Sequence, residues 1–476
     1  MAVASLLLLS APLALASYSP GGGNTGSANT AIAIGSLTNG AGSTASATGE
    51  NSVAIGSGAQ ANSIGALAFG NVAKAQSANA VAMGTGAQVT GNSSVALGAG
   101  ANVSAARSVA IGVQSTVTSV QDSFAIGYDA KAIGGAGNLG NGSGAIGASS
   151  VATGNNSLAI GTSAWAGGGV TGGDGTLNHA TAIGTDSRAV ALRSTAIGVR
   201  AQSEGSYATA IGGGGSSASL PADYTSAVRA LGAGSTAIGG NITRGAQAAG
   251  ANSIAIGGVA TTTSAATNAV AVGLGANASN INAMAFGSSS NAAAANTVAI
   301  GVGAQALALN TLAIGTGTFG NASATNSVAI GTSVRSSAAN NVLIGSNLTA
   351  VGAGDVLIGS NITGPSAGLG SKLGAVVAIG NNILFSSGGA GRVEAVAIGD
   401  GVQSGDFGTA VGLKANAALS GTALGSYSQA VGVGSIAIGS ASYTSFVDPS
   451  VPGTKAGGAN AIAIGTLAIA SGEDAF

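Results

Sequence analysis

The chain is built on one short alternation, repeated from end to end. A branched apolar residue, an alanine, a second branched apolar residue and a glycine recur as Val53-Ala54-Ile55-Gly56, Val95-Ala96-Leu97-Gly98, Val109-Ala110-Ile111-Gly112, Ile254-Ala255-Ile256-Gly257 and Val328-Ala329-Ile330-Gly331. Side chains alternate between the two faces of a strand, so each phrase predicts a strand with alanine on one side and the branched residues on the other. The closing glycine supplies the φ freedom of a sharp corner. In Ser57-Gly58-Ala59-Gln60-Ala61 the alternation resumes, with Ala59 and Ala61 on one face and Gln60 on the other, as in a second strand wetted on one side. The closing glycines run from Gly35 to Gly465 as 27 anchors, and 13 of the 26 intervals are 14 residues long. A Gly-rich unit of this period, with β-branched residues at i and i+2, excludes helix and predicts an all-β solenoid of 14-residue coils, each with two short strands and two tight turns.

The two strands are not equivalent. The first is apolar on both faces, and a narrow coil covers only one of them. Branched side chains contribute roughly 1.5–3 kcal/mol each when buried, and a continuous stripe of them is not stable in water on a lone chain. Another copy of the chain is the economical cover, which makes Val53, Ile55, Val95, Val109, Ile111, Val328 and Ile330 the expected oligomer interface.

Composition narrows the function. Gly accounts for 85 of 476 residues, charged residues for 6% and aromatics for 3%. The recurring Ile and Val argue against disorder, and a net charge of -1 gives no footprint for nucleic acid. Without cysteine there is no disulfide framework and no thiolate metal site. Residues 1–16, with the apolar Leu6-Leu7-Leu8-Leu9 run and Ala14-Leu15-Ala16, read as a signal peptide with a truncated basic start. No later stretch is apolar for long enough to form a transmembrane helix.

The period breaks at about 162–183, 213–238 and 440–464. The first break holds the only Trp, Trp165, with Asp174 and the only His, His179, and is a candidate ligand contact. The second contains Pro221, Tyr224, Val228, Leu231 and Gly232 at helical spacing, which predicts a short docked helix. The third carries Tyr443, Phe446, Asp448, Pro449 and Pro452 and reads as a loop before the last coil. No catalytic, metal or cofactor site is expected. His179 has no orienting partner in sequence, Glu473 and Asp474 form a solvated end, and the G-x-G-x-x-G at 315–320 lacks a βαβ setting.

The phrases NSVAIGSGAQA at 51–61, NSLAIG at 156–161, NSIAIG at 252–257 and NSVAIG at 326–331 resemble the YadA-like head of the trimeric autotransporter adhesins. Residue type, order and period agree over most of residues 17–476. The resemblance implies a left-handed parallel β-roll packed as a homotrimer, displayed on a Gram-negative cell surface and attached to host matrix proteins such as collagen, or to other cells. It also points to Asn51, Ser52, Asn156, Asn252, Asn326 and Ser327, together with Trp165, as ligand contacts. Proteins of that family continue into a heptad stalk and a β-barrel anchor. Neither is read in the eleven residues after Gly465, so the chain is expected to be a piece of a longer adhesin or to be held at the surface by something else.

Two other classes fit parts of the pattern. Ice or another flat surface is bound by an outward Thr-x-Thr ladder, but Thr261, Thr262, Thr263, Thr316 and Thr318 stand isolated. A carbohydrate-active β-helix enzyme needs carboxylates stacked on one face, and they are sparse here.

Overall fold

The computed structural model describes Thr25 and residues 30–35, 44–118, 121–134, 142–167, 179–213, 226–320, 324–364, 375–386, 394–441 and 453–476. Residues 1–16, the expected signal peptide, lie outside them. No described helix is long and apolar enough to cross a membrane. The chain forms two compact units, Met1–Gly245 and Ala246–Phe476.

In the first unit each coil contributes a three-residue strand and a two-residue strand. Val53–Ile55 pairs in parallel with Leu67–Phe69 of the next coil, Val53 beside Leu67, Ala54 beside Ala68 and Ile55 beside Phe69. Gln60–Ala61 pairs in the same way with Lys74–Ala75. The register never slips, so like residues form columns. Ala54, Ala68, Ala82, Ala96 and Ala110 from the first strands meet Ala61, Ala75, Val89, Val103 and Val117 from the second, all fully buried. This interior is one small side chain deep, because nothing larger than Ala or Val fits between backbones so close together.

The two corners have separate requirements. The residue two places before the first strand is left-handed in successive coils, at φ 56° for Asn51, 55° for Asn79, 54° for Ser93, 53° for Arg107 and 57° for Asp122. The glycine that ends the strand is at φ 130° in Gly56 and 132° in Gly70. A Cβ on Gly56 would also lie 2.5 Å from the carbonyl oxygen of Gly70, one coil on. Conformation and space both exclude a side chain there.

The second unit repeats this plan and then widens it. From Val328–Ser336 through Val342–Ala350 to Val356–Thr363 the two strands fuse across the corner into runs of eight or nine residues. Leu343 and Leu357 take the interior slots that Ala holds elsewhere, with Val334, Leu348 and Ile362 opposite, all fully buried. Leu343, Leu348, Leu357 and Ile362 are the largest fully buried side chains among the described residues.

The stretches expected to break the roll at 162–183, 213–238 and 440–464 lie partly outside the described residues, and their described ends follow the coil. Trp165–Ala166 is an ordinary second strand paired to Val151–Ala152 and Arg188–Ala189. Pro221 and Tyr224, where the expected helix would begin, lie outside the described residues; its expected end is corrected, because Arg229–Ala230 is a strand paired with Gln202–Ser203. The Gln202 amide donates to the Val228 carbonyl at 2.9 Å. Val228 is fully buried, like Ala201 in the coil before it. The ready-made edge of the preceding coil outweighs a local helix signal worth only tenths of a kcal/mol per residue. Tyr443, Phe446, Asp448, Pro449 and Pro452 are outside the described residues.

Candidate functional site

The outer side of the first strands carries the stripe anticipated from the alternation. Val53, Ile55, Val95, Val109, Val328 and Ile330 are half-buried, and Ile111 is 37% exposed. Ile126, Ile256, Ile300 and Ile344 lie between 36 and 39%, so the chain's own fold does not close over the column. Among the described residues no charged residue occupies an outward first-strand position. Charges sit elsewhere: Lys74, Lys131, Arg188 and Arg229 on second strands, and Arg107, Asp122, Asp129, Asp186, Arg193 and Arg200 at the corners. Arg107 and Asp122 stack in successive coils with bonds of 2.6 and 2.9 Å, and the Arg107 hydrogen bond holds the Asp122 carboxyl below its ordinary range.

The stripe is not uniform. In four successive coils of the first unit threonine replaces the leading branched apolar residue, and Thr181, Thr195, Thr209 and Thr236 stand in register. Ile183, Ile197, Ile211 and Ile238 run alongside them. At Gly144 the column has no side chain of its own. The ring of Phe124 leans into that space, and a Cβ on Gly144 would also fall 2.9 Å from Leu158.

The asparagines expected to touch a ligand are left-handed corner residues, at φ 56° for Asn51, 52° for Asn156, 52° for Asn252 and 57° for Asn326. All four are exposed. Asparagine tolerates this conformation better than most residues, so each has a structural reason to be there. Ser52 and Ser327 depart from the expectation, because both are fully buried. Ser52 donates to the Gly49 carbonyl at 2.6 Å and Ser327 to the Ala338 carbonyl at 3.1 Å. Their hydroxyls close the corner from inside the single chain.

Asn252 and Asn326 belong to a larger device that the alternation did not reveal. In the second unit the amide of Asn252 donates to Asn268, Asn268 to Asn282, Asn282 to Asn296, Asn296 to Asn310, Asn310 to Asn326 and Asn326 to Asn340. The distances range from 2.9 to 3.5 Å. The signal was available as an Asn placed two residues before each strand. Asn51 and Asn156 of the first unit share the corner but not the ladder.

Trp165 is half-buried on the outer side of its strand. Its indole N–H donates to the Thr153 hydroxyl at 3.4 Å, and the Arg188 guanidinium lies 5.1 Å from the ring centre. His179 is a corner residue at φ 38°. Among the described residues no three His, Asp or Glu side chains gather as they would around a metal ion.

These features define a parallel β-solenoid with an alanine interior, glycine corners and an uncharged apolar outer column. The chain matches the YadA head domain repeat over residues 39–130, 139–164, 178–214, 244–260, 264–318, 321–333, 418–442 and 456–476, more than half of its length. It belongs to the YadA head family. It is also similar to the collagen-binding domain of the Yersinia adhesin YadA, known from a crystal structure, with 32% identity over 29% of this chain and 75% of that one and a TM-score of 0.23. No curated protein matches the chain.

Proposed function

We propose that this chain is the head of a trimeric adhesin on a Gram-negative cell surface, holding host matrix protein of the collagen type, or other cells, by many weak contacts. The observation that supports this reading is the outer first-strand column, apolar, half-exposed and, among the described residues, free of charge. Depletion of charge is the mark of the core of a protein interface, and a second and third copy of the same column are its natural cover. The exposed corners Asn51, Asn156, Asn252 and Asn326, with Trp165 on a second strand, then face outward as ligand contacts. Repeated contacts on several chains raise the overall hold by about 10²–10⁴ over one contact.

The test has two arms. The purified chain is expected to run at three times its 43.6 kDa mass. Immobilised collagen is expected to retain it, and to lose most of that retention when the oligomer is dissociated. A monomer in solution overturns the assembly. An intact oligomer that ignores every matrix protein on a panel overturns the ligand class.

One observation favours a second reading, recognition of a flat ordered surface such as ice. The in-register row Thr181, Thr195, Thr209 and Thr236 is an outward hydroxyl ladder. A monomeric chain leaves that row free for such a surface, whereas an oligomer buries it.

A further inference from the structure

A column that repeats the same residues every coil has a weakness as an interface. Slipping one copy against another by a single coil, about 4.8 Å, sets Val and Ile against Val and Ile again. Slipped copies join head to tail and leave an end open, which produces growing chains instead of closed assemblies.

We propose that the threonine block at Thr181, Thr195, Thr209 and Thr236, with the shorter block at Thr409 and Thr422, fixes the register in which copies of this chain associate; this rests on the homo-oligomer reading. The geometry favours the role. Thr181 stands beside Thr195, Thr195 beside Thr209 and Thr209 beside Thr236. The block begins abruptly, because Thr181 follows Leu158 in the column. The second block, Thr409 beside Thr422, is bounded by Val396 and Ile436. All six residues are half-buried in the single chain. Among the described residues none of their hydroxyls has a hydrogen-bond partner. Aligned copies set hydroxyl against hydroxyl, and each row supplies donors and acceptors to the other.

A one-coil slip sets Thr181 against a leucine and each end of the Thr409–Thr422 pair against a branched apolar residue. Those hydroxyls are then buried without partners, which disfavours the slipped state. No slip satisfies both blocks at once, because they differ in length. One polar position fixes pairing in coiled coils in the same way, at some cost in stability.

The experiment replaces all six threonines by valine, which keeps the β-branched shape and deletes the hydroxyl. The chain has no cysteine, so cross-links are reported without background. Two versions are made on each background, Ile111→Cys and Ile126→Cys, at positions that neighbour one another in the column. They are co-expressed and oxidised.

With threonine present, cross-links are expected to join like coils and the mass distribution to show a single closed species. With valine, the offset 111–126 product is expected to rise about tenfold or more, with a ladder of larger masses. A Thr→Ser version of the six sites, keeping the hydroxyl, is expected to behave as the unmodified chain. If the valine version keeps one mass and gains no offset product, the register role is overturned while the oligomer stands. A monomeric unmodified chain overturns both.

Discussion

At the scale of single residues, two kinds of glycine look alike in sequence and behave differently in the fold. Gly287 sits at φ 125°, and a Cβ there would approach the Gly301 carbonyl oxygen to 2.6 Å. Gly303 sits at φ 66° with open space around it. Gly287→Ala is expected to cost more than about 3 kcal/mol because backbone must move. Gly303→Ala pays only the left-handed penalty of about 1–2 kcal/mol, and denaturant midpoints measure the gap. Asp355 is a second case. It is fully buried, its Oδ1 accepts the Val376 amide at 3.2 Å, and Oδ2 has no partner. Burial pushes its carboxyl above the ordinary 3.8, so the folded chain keeps the proton to higher pH than the unfolded one. Its stability contribution is therefore complete below the ordinary value and is lost as pH rises through the folded one. One coil earlier Asn341 fills the same slot and accepts the Asp355 amide at 2.8 Å. Asp355→Asn is expected to raise stability at neutral pH by about 1–3 kcal/mol and to change it least below pH 3.8. Thermal melts across pH report both effects.

At the scale of the coil, the strands were legible because alternation and glycine spacing state them directly. Val53–Ile55 and Gln60–Ala61 fall where the pattern places them. The signals that misled were local ones. Pro221 and Gly232 bracket a helical spacing, yet at its end Arg229–Ala230 joins the ladder beside Gln202–Ser203, because backbone pairing with a neighbouring coil is invisible to a window of one segment. Ser52 and Ser327 belong to the recurring phrase that marks each coil, but which face they take depends on the corner, and the corner turns them inward. The threonine block was missed for a related reason: its members are 14 residues or more apart in sequence and adjacent only in register. The asparagine ladder makes the point testable. Asn296→Gly keeps the left-handed corner at φ 55° while deleting the bonds to Asn282 and Asn310. Each net bond contributes about 0.5–1.5 kcal/mol, less where exposed. Asn51→Gly at φ 56°, outside the ladder, is expected to be near neutral, and paired urea titrations of the two variants separate the ladder from the corner.

At the scale of the whole molecule, the decisive feature is where charge is absent. Among the described residues no charge stands on the outer first-strand column, although the column is open to solvent in a single copy. Ile300 is 38% exposed there, so Ile300→Lys adds little strain to the isolated coil: the lysine stem covers the same apolar surface and its ammonium reaches water. In an assembly that covers the column, the same ammonium is buried without a partner in every copy, at about 2–5 kcal/mol each. The expected outcome is a fall to the monomer mass at concentrations where the unmodified chain is associated, with β-sheet circular dichroism unchanged. Gln305→Lys, on the second strand of the same coil, places an equal charge on the opposite side and is expected to leave the mass as it was. Retention of the full oligomer by Ile300→Lys would remove the column from the interface. Loss of the oligomer in both variants would instead show that added positive charge anywhere on the coil dissociates the copies.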